Sequence, residues 1–242
     1  MSAVSESSPA DHGSADREPA RKRANKKIPG WIEFPLTVAA ALIIALLVKT
    51  FLLQVFYIPS GSMEDTLMVG DRVAVNRLAY HLQEPRRGDV VVFDGAGTFT
   101  PEPLEPESSN VVEAVFTELG RTVGLVPPPD TVFVKRLIGV GGDRVVCCDQ
   151  NGAVTVNGEP LEEPYLYPGD LPSTQPFDVL VPPGHMWLMG DHRSASADSR
   201  SHLGDPGGGM VPVEEAIGRV AAVVWPVNRW GTVPSYSSVT AD

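Results

Sequence analysis

Two serines that flank a glycine, in the segment IPSGSMEDTLMVGD (58–71), are the side chains best suited to nucleophilic chemistry. A serine protease needs an activated hydroxyl, a base that is neutral near physiological pH, and donors for the oxyanion. Gly61 permits a tight backbone turn, which would leave Ser60 and Ser62 as exposed hydroxyls. On its own, a Ser-Gly-Ser turn is more often a plain loop.

Lys135 is the candidate base. Of the five lysines, Lys22, Lys26 and Lys27 lie near the N-terminus and Lys49 lies in an apolar run, so Lys135 is the only one deep in the rest of the chain. A buried lysine can lose its proton, whereas arginine stays charged. Lys135 sits within the apolar run TVFVKRLIGV, where desolvation would lower its pKa. An outward-pointing lysine on an alternating strand is the competing interpretation.

A polar segment, GDHRSASADSR (190–200), follows an apolar strand-like run and could support such a site. Asp198 and Arg200 could pair and brace a turn, and Ser196 could bond to a lysine amine. Because His192 lies next to Asp191, the residues needed for a Ser-His-Asp triad are present, although no G-x-S-x-G elbow is found. The segment is also compatible with an ordinary surface turn.

The elements that would position these residues are short strands. Five runs rich in β-branched residues, separated by Gly, Asp and Asn, predict them: DRVAVNRLAY, GDVVVFD, TVFVKRLIGV, DRVVCCD and AVTVNGEPL. HMWLMGD and RVAAVVWPV predict two more, the second ending at Pro226. Turn signals at 150–152 and at Asn157-Gly158 predict hairpins. The fold class expected is mainly β, with an antiparallel, barrel-like catalytic domain.

The rest of the chain divides by composition. Residues 1–30 predict a disordered tail with a basic end, and residues 31–53 predict a single transmembrane helix. The basic flank keeps the tail cytoplasmic and places residues 54–242 outside the membrane. Residues 95–130 are rich in Pro, Glu and Ser and predict an inserted loop with a short helix.

Charge and cysteine content exclude several classes of protein. The chain has 19 Lys/Arg and 30 Asp/Glu, a formal net charge of −11, which argues against nucleic-acid binding. Its two cysteines, Cys147 and Cys148, are adjacent, which excludes a disulfide framework; they are either free or joined to each other. No spacing typical of metal ligands or of a phosphate loop is present, so no cofactor is expected.

Four blocks, in order after the apolar run, resemble bacterial type I signal peptidases. They are IPSGSMEDTL (58–67), GDRVAVN (70–76), VKRLIGVGGD (134–143) and GDHRSASADSR (190–200). The likeness covers roughly residues 30–230, outside the 95–130 insertion. Each block is short, but four in this order are specific.

The resemblance implies roles residue by residue. Ser62 is the expected nucleophile and Lys135 its general base. Ser60 is expected to hold the oxyanion together with the Ser62 backbone N–H, and Ser196 to orient Lys135. A structural role near the site is expected for Asp198, Arg200, Gly190 and Asp191.

The sequence differs from the family pattern at several positions. His192 stands where Asn is commonest in the family, and Asp65 stands where Pro is common. The paired-cysteine bridge of the family is not recognisable in this chain.

The function implied is that of a membrane-bound serine endopeptidase that removes signal peptides after small-x-small (A-x-A) sites. Its expected partners are preproteins with N-terminal signal peptides, the lipid bilayer and the nearby secretion translocon, with no nucleic acid and no cofactor. Two alternatives stay open: a self-cleaving repressor-type Ser-Lys peptidase, and a non-catalytic membrane-anchored β domain that binds exported chains. A penicillin-binding enzyme is excluded, because Ser-x-x-Lys is missing at Ser60 and Ser62.

Overall fold

The computed structural model describes residues 34–42, 53–100 and 131–236. The chain divides into two compact units, residues 1–42 and 43–242. Residues 34–42, the described part of the first unit, are helical (α1). Among the described residues, none of the helices has the length and apolar character that a membrane crossing requires. The predicted N-terminal tail, the rest of the predicted anchor and the predicted helix of the 95–130 insertion lie outside the described residues.

In the described part of the second unit, most of the regular elements are β-strands. The strands are β1 Leu53–Tyr57, β2 Arg72–Asn76, β3 Val90–Asp94, β4 Val132–Val140, β5 Arg144–Cys147, β6 Val154–Val156, β7 Glu159–Pro160, β8 Phe177–Leu180, β9 His185–Met189, β10 Val211–Pro212, β11 Ala216–Trp225 and β12 Gly231–Thr232. One short helix, α2, spans Ala79–Leu82, and 3-10 turns span Arg193–Ala195, Val213–Glu215 and Val227–Arg229.

The strands form two antiparallel sheets. The larger has eight strands in the order β1-β2-β11-β3-β4-β9-β10, with β12 on β11, and curls into a half-barrel. The smaller has the order β7-β6-β5-β8. The prediction of a mainly β, antiparallel fold is therefore confirmed.

Strand β3 shows why an uninterrupted apolar run forms a strand here. Val90 and Val92 belong to one buried cluster, while Val91 and Phe93 belong to another. Successive side chains of a strand point to opposite faces, so β3 is covered by apolar side chains on both of its faces. This central strand pairs with β4 along its whole length and gives that strand a fixed position.

The register between β3 and β4 decides where Lys135 points. Lys135 pairs with Val91, so both side chains lie on the same face of the sheet. Val91 and Leu137 of that face are buried in one apolar cluster. Lys135 therefore stands among apolar side chains rather than in solvent, and the alternative of an outward-pointing lysine is wrong.

Several predicted strand limits need correction. The run DRVAVNRLAY is a strand only as far as Asn76, whose side-chain oxygen accepts a hydrogen bond from Leu78 N at 3.0 Å and starts the turn into α2. Strand β1 was not predicted, because its apolar residues continue the run assigned to the anchor. β8 was not predicted either.

Other turn predictions are confirmed. Asn157 and Gly158 both have positive φ, at 55° and 89°, and join β6 to β7. That conformation at both central residues is what a two-residue hairpin turn requires. Cys147 and Cys148 are bonded to each other, which answers the question that the sequence left open.

Candidate active site

Ser62 lies in a loop between β1 and β2 that is closed by backbone hydrogen bonds. Ile58 donates to the Asp71 carbonyl and accepts from Gly70 N, each at 2.9 Å, so the two ends of the loop are joined. Inside it, Leu67 N donates to the Met63 carbonyl at 2.7 Å, as in one turn of helix. The spacing of four brings Met63 and Leu67 onto the same side, where both are fully buried. Burial of Met63 and Leu67 holds the loop in place and so positions Ser62, the residue before Met63.

The side chains of Ser62 and Lys135 meet across the sheet. Lys135 Nζ lies 2.7 Å from Ser62 Oγ, within hydrogen-bond distance. The lysine is 4% exposed and the serine 7% exposed, so the contact is shielded from water. A hydroxyl and an amine at this distance can exchange a proton directly.

Burial lowers the pKa of Lys135 from 10.5 to about 8. The Asp198 and Asp191 carboxylates oppose this shift, while the Arg200 guanidinium acts in the same direction as burial. Desolvation dominates because the charged ammonium loses more hydration than the neutral amine. A substantial fraction of Lys135 is then neutral, and able to accept a proton, at slightly alkaline pH.

Gly190 brings the 190–200 segment against the loop of residues 58–71 that carries Ser62, here named the Ser62 loop. A Cβ at this position would lie 2.3 Å from Ser196 Oγ and 2.5 Å from the carbonyl oxygen of Ser62. No side chain fits at those distances, so the close approach depends on glycine. His192, two residues after Gly190, donates its backbone N–H to the same Ser62 carbonyl at 3.1 Å.

Asp191 is the centre of a fully buried ion pair that ties three parts of the site together. Arg136 donates to it through Nε at 2.8 Å and through the terminal nitrogen at 2.7 Å, and both side chains are 0% exposed. Thr66 of the Ser62 loop donates its hydroxyl to the same carboxylate at 2.5 Å. Arg136 also packs over the ring of Tyr165 at 4.0 Å, a favourable cation–π geometry.

Asp198 and Arg200 form a second buried, bidentate pair, with distances of 2.8 and 2.7 Å. Asp198 also accepts the backbone N–H of Gly190 at 2.9 Å, and Arg200 donates to the Arg193 carbonyl at 2.9 Å. Burial alone would raise the pKa of Asp198, but the Arg200 guanidinium and the Gly190 N–H hold it below its ordinary value. The pair closes the 190–200 segment into a rigid turn.

The structure gives less support to the roles predicted for the two supporting serines, Ser60 and Ser196, than to the contact between Ser62 and Lys135. Ser60 is exposed and lies near the start of the Ser62 loop. Ser196 Oγ is buried near the Asp198 carboxylate, and within the described residues it makes no hydrogen bond of good geometry. Their roles beside Ser62 and Lys135 stay predictions.

Sequence reasoning missed several residues of this site. Arg136 was not singled out, although a second cation inside an apolar strand was a usable signal for a buried ion pair. The buried pair between Arg193 and Glu163 was also missed. No sequence signal connects Thr66 with Asp191, or Glu64 with His192, because 125 and 128 residues separate them. In the described part of the chain, no group of His, Cys, Asp and Glu could hold a metal ion.

Comparison with known proteins gives consistent matches. Residues 31–225 match the family model "Signal peptidase, peptidase S26". The chain is 40% identical to signal peptidase I of Mycobacterium tuberculosis over 222 residues, covering 84% of this chain and 75% of that protein. It is 38% identical to a probable signal peptidase I of Mycobacterium leprae, covering 88% and 82% respectively.

A crystal structure of a signal peptidase I from Enterococcus faecalis matches with a TM-score of 0.36 and 21% identity, over 57% of this chain and 98% of that one. The family assignment does not depend on this match. It depends on the family model, which spans most of the chain, and on the curated relatives. The chain belongs to the signal peptidase family, peptidase S26, among the type I signal peptidases.

Proposed function

We propose that this protein is a membrane-bound serine endopeptidase that removes signal peptides from exported preproteins, with Ser62 as nucleophile and Lys135 as general base. The observation that carries the proposal is the buried 2.7 Å contact between Lys135 Nζ and Ser62 Oγ. Family membership supports the reaction class, and the lowered pKa of Lys135 supports its role as base.

The proposed chemistry has two halves. Ser62 Oγ attacks the scissile carbonyl while its proton passes to neutral Lys135 Nζ. The resulting ammonium protonates the leaving amine, and an acyl-enzyme ester forms at Ser62. Lys135, neutral again, then takes a proton from water, and the hydroxide attacks the ester. The bond between the acyl carbon and Ser62 Oγ breaks, the Lys135 ammonium returns its proton to that oxygen, and the signal peptide leaves with a new carboxylate.

The oxyanion of both tetrahedral intermediates needs donors. Within the described segments, no backbone carbonyl or side chain accepts a hydrogen bond from the Ser62 N–H. That N–H is therefore available, and we assign it to the oxyanion together with the Ser60 hydroxyl. Ser196 is proposed to orient the Lys135 amine.

Strand β4 offers a position for the substrate. Its first residues pair with β3 on one side only, because pairing with β9 begins at Arg136. A peptide in extended conformation can add to such an edge. Val132 and Val134, both half-buried, pack here against the cluster that contains Met63. We propose that this apolar surface receives the small substrate residues of an A-x-A site.

Exposed aromatic residues are consistent with a site at the membrane surface. Tyr57 of β1 and Trp225 of β11 both pair with Arg72 of the strand between them, and each is about half exposed. Tyr and Trp side chains with an exposed ring are enriched where a protein meets the headgroup region of a bilayer. We propose that the predicted anchor at residues 31–53 holds the catalytic unit there, outside the cytoplasm and near the translocon.

Cleavage of a preprotein with an A-x-A site, by full-length protein in detergent, tests the proposal. Wild type should cut after the small-x-small site, as located by mass spectrometry of both products. Ser62→Ala and Lys135→Arg should each lose about 10³-fold or more in rate. Ser201→Ala, an exposed serine, serves as the matched control and should cleave normally. Wild type that binds the preprotein without cutting it would favour the non-catalytic alternative.

A further inference from the structure

His192 contacts the Ser62 loop through two different groups. Its backbone N–H donates to the Ser62 carbonyl at 3.1 Å. Its ring Nδ1 lies 3.3 Å from the Gly61 carbonyl oxygen and 3.1 Å from Glu64 Oε2. One residue thus touches the backbone on both sides of Ser62.

The two ring contacts determine which nitrogen carries the proton. A backbone carbonyl and a carboxylate are both acceptors. A bare lone pair on Nδ1 would face two acceptors and be repelled, so Nδ1 carries hydrogen and donates. The ring is held in this orientation by Tyr167, whose ring stacks on it at a centroid distance of 3.8 Å and an interplanar angle of 12°.

These contacts fix the direction of the Ser62 N–H. The Gly61 C=O and the Ser62 N–H belong to one planar peptide unit and point in opposite directions. Holding the oxygen therefore holds the N–H, and the backbone bond from His192 N holds the following peptide plane in the same way. Gly61 lacks a Cβ and has wide backbone freedom. Its carbonyl accepts the Glu64 backbone N–H at 3.0 Å from inside the loop, and the His192 ring adds a second contact from outside it.

The geometry points to His192 as a positioning residue for the oxyanion donor, acting through the Gly61–Ser62 peptide and not by proton transfer. The inference rests on the proposed function, because it assumes that the Ser62 N–H binds the oxyanion. The imidazole does not take part as base, since Lys135 Nζ is the group in contact with Ser62 Oγ. Glu64 and Tyr167 assist by setting the position of the ring.

A matched set of variants in full-length protein tests this role. His192→Phe keeps a ring that can stack on Tyr167 but has no donor, whereas His192→Asn keeps a side-chain N–H. His192→Phe should lower kcat by about 10- to 100-fold with little change in KM, since a misplaced oxyanion donor affects the transition state more than ground-state binding. His192→Asn should restore most of the rate. His185→Phe is the control, because the His185 ring contacts only the Pro183 carbonyl among the described polar groups.

The outcomes separate this inference from the proposed function. If wild type cleaves and Ser62→Ala does not, but His192→Phe cleaves like wild type, only the positioning role is wrong. A loss in His192→Phe that follows a lowered melting temperature, with no recovery in His192→Asn, means a merely structural residue and also overturns it. Wild type that never cleaves removes the proposed function, and this inference with it.

Discussion

Replacing Lys135 with methionine should make the protein more stable while abolishing its activity. The folded protein holds the Lys135 amine in an apolar site that lowers its pKa from 10.5 to about 8. Keeping the ammonium form there costs about 3 kcal/mol, at about 1.4 kcal/mol for each unit of pKa shift. Methionine has a similar length and no charge to desolvate, so the variant avoids this cost.

The size of the gain depends on pH in a defined direction. Because the folded pKa lies below the unfolded one, the cost is present in full below the folded value of about 8 and disappears as the pH rises towards 10.5. Methionine also loses the hydrogen bond to Ser62, worth about 1 kcal/mol. The net gain in the free energy of unfolding should be about 2 kcal/mol at neutral pH, or about 4–8 °C in melting temperature.

Urea unfolding of wild type and Lys135→Met in the same detergent, at neutral pH and near pH 10, measures this difference. Arg77→Met removes an exposed cation and should shift stability by no more than about 0.5 kcal/mol at either pH. A Lys135→Met variant no more stable than wild type at neutral pH, or with a gain that is the same at both pH values, would refute the reasoning about desolvation.

Two further predictions concern buried residues that surround Ser62 and Lys135. Gly190→Ala places a methyl group 2.5 Å from the Ser62 carbonyl oxygen, so the Ser62 loop must shift. Preprotein cleavage should then fall about 100-fold or more, and an unchanged rate would contradict the close approach. Asp191→Ala leaves the fully buried Arg136 without its partner and should cost about 3–5 kcal/mol in urea unfolding. A loss below about 1 kcal/mol would mean that this ion pair does not hold the site together.

The fold class, and the presence of Lys135 on an apolar strand, could be predicted from the sequence. Strand β4 was predicted from its β-branched residues, and the scarcity of lysine outside the N-terminal segments singled out Lys135. Which way that side chain points could not be predicted, because it depends on the pairing of Lys135 with Val91. The pairing of Ser62 with Lys135 came from the family resemblance and not from spacing.

The buried ion pairs and hydrogen bonds around Ser62 and Lys135 could not be predicted from the sequence, for a physical reason. Buried ion pairs such as Arg136–Asp191 join residues 55 positions apart, and nothing in either local pattern names the partner. His192 was considered as a rival base, yet its contacts with Gly61 and Glu64 show only once the two loops are brought together. Local sequence predicts elements, whereas the register between them decides which polar groups meet.

The pH dependence of kcat/KM for preprotein cleavage tests the central claim, the Ser62–Lys135 dyad, most directly. This quantity reports the pKa of the base in the free enzyme. We expect a single ascending limb with a midpoint at about pH 8, the pKa of Lys135, and about a tenfold loss for each pH unit below it. A midpoint at about 6.5, typical of histidine, together with normal cleavage by Lys135→Arg, would contradict it.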